Sequence, residues 1–235
     1  MNSLPEVTII NLGLVDYKEA WDIQEKYFRQ AIDRKIAIRN GESLPAPSNY
    51  LILCEHPHVY TIGKSGKEEN LLLSEEEIAS KQASFYKINR GGDITYHGPG
   101  QLVVYPIFDL EQFFTDIHKY MRFLEEAVIN TLLKFNIRSS RIDGMTGVWL
   151  DSEHPSARKI CAMGVKSSRW VTMHGIGFNV NTNLDFFSHI VPCGIDDKAV
   201  TSMQKELGKK IDEKKVEAII IEEFKALFGF VLKEN

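Results

Sequence analysis

An α+β fold, a mixed β-sheet flanked by helices, is what the sequence predicts, and three observations predict it. Short β-type runs and longer stretches of helical periodicity interleave irregularly, without the strict strand–helix alternation of a doubly wound parallel sheet. The chain has 235 residues, 43% of them apolar and 26% charged, the balance of a folded chain with a sizeable core rather than of a disordered one. No internal repeat and no low-complexity linker divides it, so 1–235 is read as one domain.

In chain order, VTII at 7–10 is a short strand. Asp16 then opens a helix, and Glu19 three positions on gives a capping-box-like start. Tyr17, Trp21, Phe28, Ile32 and Ile36 recur along it at helical spacing, and Gly41 closes it. Pro45 and Pro47 make 42–48 a surface loop, and 50–55 is an apolar run too short for a helix. Ser74 with Glu77 caps a further short helix, and 84–90 alternates as a half-buried strand does. The segment 102–108, LVVYPIF, is strongly β, so these two runs are expected to be strands joined through a glycine-rich bend. From 110 to 135, Leu110, Phe113, Ile117, Met121, Leu124, Val128 and Leu132 follow helical spacing. Strands are expected at 146–150, 159–165 and 171–180, then a short capped helix at 201–207. An amphipathic helix over 212–228 rests on Val216, Ile219, Ile220, Phe224 and Leu227.

Several classes of function are excluded early. The net charge is −4, which argues against a protein built mainly to hold nucleic acid. The first residues, MNSLPE, carry neither the basic nor the apolar region of a secretory signal. No apolar stretch approaches the ~18 residues of a spanning helix; YLILC at 50–54 and AIII at 218–221 are far shorter. Cysteines at 54, 161 and 193, an odd number, make no disulfide framework, so a reducing cytoplasmic location is expected.

The densest polar cluster is RGGDITYHGPGQ at 90–101, five of whose twelve residues are Gly or Pro although it lies between two β runs. Glycine permits φ > 0 and close approach of a ligand to the backbone, so a binding wall is expected there. Cys54 and Cys161 sit inside apolar strand runs, where a thiol behaves as a small hydrophobe. Cys193 sits in the turn-forming VPCG of 191–194, where a thiol is reachable and a nearby cation makes it a thiolate. Lys159 opens an apolar strand, from whose end its ammonium can enter a cleft or simply be solvated. HGIG at 174–177 is a second glycine-rich interruption, either a close-approach wall for an apolar chain or a β-bulge. His56 and His58 are two apart with Pro57 between them, and no Cys or carboxylate set completes a metal pattern. A phosphate-binding loop and a dinucleotide fingerprint are both missing.

These segments, with EHPHVY at 55–60, KICAMGV at 159–165 and NVNTNL at 179–184, resemble in order the motifs of lipoyl(octanoyl) transferases, from about 52 to 203. The resemblance implies a biotin/lipoate protein ligase-like fold, one catalytic domain with its core at about 50–205 and terminal helices packed on it. It implies transfer of an octanoyl group from acyl carrier protein to a lysine of lipoyl domains, those of 2-oxoacid dehydrogenases and the glycine cleavage H protein. By the same match Cys193 is the nucleophile that carries a thioester, and Lys159 its activating partner and proton shuttle. The acyl-binding walls then fall on Arg90, Gly91, Gly92, Asp93, Ile94, Thr95, Tyr96 and His97, on Ala162, Met163 and Gly164, and on Gly175, Ile176 and Gly177. Neither ATP nor a metal is implied, because thioester exchange followed by amide formation runs downhill. The chain departs from the family at Ile176, Gly177 and Phe178, where Phe-Ala-Leu is usual, and at Met163, where Ile or Leu is commoner; preferred acyl length is at stake there. Competing readings are an ATP-using lipoate or biotin ligase of the same fold, an amidotransferase between lipoyl domains, and a non-catalytic acyl-protein binder. Since the carrier is acidic and the chain itself net negative, a local basic patch at Arg158, Lys166 and Arg169, with Arg90 on the other wall, is expected to guide docking.

Overall fold

The computed structural model describes residues 4–191 and 199–233. Its strands are β1 (Glu6–Leu14), β2 (Asn49–Glu55), β3 (Val59–Ile62), β4 (Ser84–Lys87), β5 (Ile94–His97), β6 (Gln101–Ile107), β7 (Ser140–Ile142), β8 (Met145–Leu150), β9 (Arg158–Ser168), β10 (Val171–Asn179), β11 (Ala199–Val200) and β12 (Val231–Leu232). The helices are α1 (Tyr17–Arg39), α2 (Glu75–Ser80), α3 (Ile117–Leu133), α4 (Met203–Leu207) and α5 (Glu213–Phe228). Among the described residues the large sheet runs β12-β1-β2-β6-β10-β9-β8-β7, with β11 beside β9, and a small sheet runs β4-β3-β5. The pairs β12–β1, β1–β2, β9–β11 and β3–β4 are parallel and the remaining ladders antiparallel. The sheet is therefore mixed and flanked by helices, as the irregular interleaving predicts.

Parallel neighbours need a crossover, and α1 supplies it between β1 and β2. Its Ala20, Phe28 and Ala31 bury against Ile52, Cys54, Val103 and Tyr105 on one face of the large sheet. On the opposite face α3 and α5 bury Leu124, Val128, Ile220 and Phe224 against Leu51, Leu53, Leu102 and Val104. Strands β2 and β6 are thus covered on both sides, which is why they read as continuous apolar runs rather than alternating ones.

Ser74 and Glu77 form the reciprocal capping box that their spacing predicts. Asp16 caps α1 differently: its carboxylate accepts from the Lys18 amide, and Glu19 completes no box. The expected helix over 110–135 begins only at Ile117, where the Asp116 side chain accepts from the Lys119 amide. Leu110–Gln112 is a separate 3-10 turn, held away by bonds from the Leu110 amide to the Trp170 carbonyl and from Lys35 to Asp109.

The expected pairing through a glycine-rich bend is not what forms. Strand β4 ends at Lys87 and belongs to the small sheet, whereas β6 lies in the large one. Residues Ile94–His97, read as part of the bend, are themselves a strand antiparallel to β3, with Ile62 opposite Ile94 and Val59 opposite His97. Ile94 and Tyr96 join Tyr60, Ile62 and Ile190 in a small core of their own, and that burial outweighs the turn preference of the flanking glycines.

Candidate active site

A cavity of about 930 Å³ opens between the small sheet, the segment after residue 90, and β9 and β10. From the glycine-rich segment it gathers Arg90, Gly92, Asp93, Ile94, Thr95 and His97; from the two strands come Lys159, Ala162, Met163, Gly164, Gly175, Ile176 and Gly177. The two expected strand walls face each other in register: Gly164 lies opposite Gly175, Met163 opposite Ile176 and Ala162 opposite Gly177. Gly91 and Tyr96 stand outside the lining. The Gly91 amide donates to the Val165 carbonyl at 2.9 Å. Tyr96 is fully buried, its hydroxyl 2.7 Å from His58 Nδ1 and its ring stacked on Phe186. Cys193 lies outside the described residues; Val191 and Ala199, on either side of the segment 192–198, both line the cavity.

Lys159 is the second residue of β9, and its Nζ stands 4.6 Å from the Trp149 ring centroid. Among the described residues no carboxylate pairs with it. Burial pulls its pKa below the ordinary lysine value, with Cys161 opposing. An ammonium that is held in a cavity with no described carboxylate paired to it favours an anion beside it.

The wall glycines answer to the protein's own packing. A Cβ on Gly164 would stand 2.8 Å from the Gly91 carbonyl oxygen and 3.0 Å from Arg90 Cδ. One on Gly175 would meet the Val104 carbonyl oxygen at 2.1 Å, and one on Gly177 would meet Gln101 Oε1 at 3.0 Å. The strands therefore need glycine to let the 90–92 segment, β6 and His97 close upon them. Arg90 is buried and serves that closure, donating to the Gly91 carbonyl at 3.0 Å and to the Thr61 carbonyl and hydroxyl at 2.8 and 3.1 Å.

The tautomer of His97 follows from a chain of hydrogen bonds with backbone anchors. The Asn179 amide donates to the Thr201 carbonyl at 3.0 Å, so its Oδ1 faces Gln101 and accepts at 2.9 Å. Gln101 Nε2 also donates to the Tyr96 carbonyl at 3.2 Å, so its Oε1 must accept from His97 Nδ1, at 2.6 Å. The proton of His97 is thereby assigned to Nδ1, and Nε2 is left as an acceptor. Burial, then the neighbouring His56, push the pKa of His97 down to about 3. His174 is also lowered to about 3 by burial, with Arg90 next; its Nε2 lies 3.2 Å from Asn89 Oδ1. Both rings are neutral at physiological pH.

Reading the sequence missed Tyr17, Tyr105, Thr146, Trp149 and Phe187, which also line the cavity. Tyr17, Tyr105 and Trp149 sit in apolar periodic runs that mark them as core, and nothing local separates a core ring from a cavity ring. His56 and His58 diverge as a metal reading would forbid: His56 bonds the Val15 carbonyl and the Tyr105 hydroxyl, and His58 stacks on Phe186. Among the described residues no cluster of three metal-ligating side chains occurs.

Of the four charges of the expected basic patch, two are paired within the chain and one is buried, while Arg169 is exposed. Arg158 pairs with Glu206 at 2.6 Å and with Asp151, and Lys166 pairs with Glu25 at 3.2 Å while lying over Phe28. Arg90 is buried. Paired and buried charges present little field to a docking partner.

The family model described as the lipoyl protein ligase A/B catalytic domain matches residues 16–225. An octanoyltransferase of Cytophaga hutchinsonii is 58% identical over 230 residues, covering 97% of this chain and 94% of that protein. One of Christiangramia forsetii is 59% identical over 230 residues, covering 97% and 98%. This chain belongs to the lipoyl(octanoyl) transferase family. Its reaction is octanoyl transfer in protein lipoylation. The octanoyltransferase shares its fold with a bi-partite lipoate protein ligase from Thermoplasma acidophilum, with a TM-score of 0.72 at 16% identity, covering 98% of this chain and 87% of that one. A lipoate-protein ligase A bound with ATP aligns at TM-score 0.69 and 14% identity, covering 99% and 88%. Among the described residues no helix of the transferase is long and apolar enough to cross a membrane.

Proposed function

We propose that the chain carries its octanoyl group through Cys193, taking it from acyl carrier protein and passing it to a lipoyl-domain lysine of 2-oxoacid dehydrogenases and of the glycine cleavage H protein. The Cys193 thiolate attacks the carrier thioester; the C–S bond to the carrier breaks as the enzyme thioester forms, and the departing thiolate takes a proton from Lys159. The acceptor amine then attacks the enzyme thioester, the amide forms, and Cys193 leaves as thiolate while Lys159 accepts the amine's proton. An ordinary cysteine titrates near ~8.5, so a cation beside it is needed for an appreciable thiolate fraction at neutral pH.

The observation that carries this reading is the Lys159 ammonium, set in a cavity that also reaches Val191 and Ala199 and unpaired with any described carboxylate. The glycine-rich segment and the facing strands form the acyl wall, with Tyr96 and Gly91 supporting it from behind. Neither ATP nor a metal takes part, and the reducing cytoplasm keeps the thiol free. The test incubates the enzyme with octanoyl-carrier protein without ATP and weighs the intact chain. The reading expects the mass of one octanoyl group on wild type, none on Cys193→Ala, and discharge on adding a lipoyl domain. Transfer that requires ATP, or a fully active Cys193→Ala enzyme, would overturn it.

A further inference from the structure

An unbroken β9 would hide Lys159. Side chains alternate along a strand, so residues 159 and 161 should share a face. Yet Cys161 and Ile160 both lie in the main core, while Lys159 and Ala162 both line the cavity. The register with β8 accounts for this: Val148 faces Cys161 and Trp149 faces Lys159, so one step along β8 answers two along β9. Ile160 is the extra residue of a β-bulge, and the bulge turns Lys159 from the core side to the cavity side.

Room for that bulge comes from Gly147 on β8, whose φ is +123°. A Cβ at Gly147 would stand 2.6 Å from the Cys161 carbonyl oxygen and 3.3 and 3.5 Å from Lys159 Cε and Cδ. The bulged carbonyl and the lysine stem thus occupy the space a side chain would need. Gly147 is held in place from α3, its amide donating at 3.1 Å to Oε1 of the fully buried Glu125. The other oxygen of Glu125 accepts from Arg141 Nε at 2.8 Å and pairs with Arg122 at 2.9 Å. Trp149, two residues on, puts its ring beneath the ammonium.

We infer that Gly147 is a positioning residue of the acyl transfer, admitting the Ile160 bulge and the Lys159 stem and so fixing, with Trp149, where the ammonium stands in the cavity. The inference rests on the reading of Lys159 given above. The Lys159 side chain is followed directly by competitive acetylation against pH, resolved peptide by peptide, beside kcat and KM for the octanoyl-carrier donor. In Gly147→Ala the Lys159 titration should move up toward that of the surface lysines, with kcat falling about 100-fold and KM changing less than about threefold. In a Lys159→Met background Gly147→Ala should alter the residual rate no further. Should Gly147→Ala lose cooperative melting, Trp149→Phe, which leaves the backbone intact, carries the test: the weaker ring stabilises the ammonium less, so the Lys159 titration should move down, with a kcat about tenfold lower. A folded Gly147→Ala or Trp149→Phe enzyme with an unmoved Lys159 profile would overturn the inference while the role of Lys159 stood. A fully active Lys159→Met enzyme would instead overturn the reading beneath it.

Discussion

Burial sorts the titratable side chains of this enzyme into inert and available ones. Cys54 and Cys161 are 3% and 0% exposed, and burial pushes both thiols far above the ordinary range. Iodoacetamide at pH near 8 should therefore add one carbamidomethyl group to the native enzyme, on Cys193, and reach the other two only after denaturation. Peptide mapping checks this, and native adducts on Cys54 or Cys161 would contradict it. If Lys159 is the activating partner proposed for Cys193, Lys159→Met should raise the pH at which that thiol becomes alkylatable by about one unit or more. An unchanged profile would mean that another group activates the thiol. The neutral histidines set a pH limit on stability. His97 and His174 have folded pKa values of about 3 against ~6.5 in the unfolded chain. The unfolded state therefore binds protons that the folded state refuses, and stability present above ~6.5 is lost as pH falls below it. At pH 5.5 the two together should cost about 2–3 kcal/mol relative to pH 7.5, lowering Tm by several degrees. His174→Gln should flatten that slope in a melting series; an equal slope would place the acid sensitivity elsewhere.

Elements are tied together by a few buried polar groups that reach partners on other elements. Glu125 on α3 is fully buried, yet it serves Gly147 on β8 and both Arg141 and Arg122. Glu125→Leu should cost about 2–4 kcal/mol by chemical denaturation, since it strips a buried acceptor from one amide and a counter-ion from two guanidinium groups. The capping box of α2 lies apart from the cavity. Ser74→Ala should cost about 1 kcal/mol and leave kcat unchanged. Such caps are legible because both partners lie within one helical turn. The split of the expected 110–135 helix was not, because the Trp170 carbonyl and Lys35 that hold its first residues come from a distant hairpin and from α1.

For the whole molecule, charge placement decides what field the surface presents to a partner. Lys166 and Glu25 are 21% and 18% exposed at their side chains and join β9 to α1. Lys166→Glu sets two carboxylates against each other. It should lower stability by about 1–2 kcal/mol, a Tm fall of some 2–6 °C, and leave KM for the carrier-bound donor within about twofold. A large rise in KM with unchanged Tm would restore the docking role that the sequence pattern implied. From the motif order alone come the family, its chemistry, the cavity-lining stretches and most helix boundaries, because glycine placement, capping residues and apolar spacing are local signals. Tertiary structure alone decided that Ile94–His97 is a strand of a second sheet, that Gly91 and Tyr96 stand outside the cavity lining, and that two of the expected docking charges, Arg158 and Lys166, are paired. It alone also decided how Lys159, which the motif match implicated, is turned to face the cavity. The reason is one of register: alternation along β9 assigns that lysine to the core, and the extra residue at Ile160 becomes visible only when β8 lies beside it.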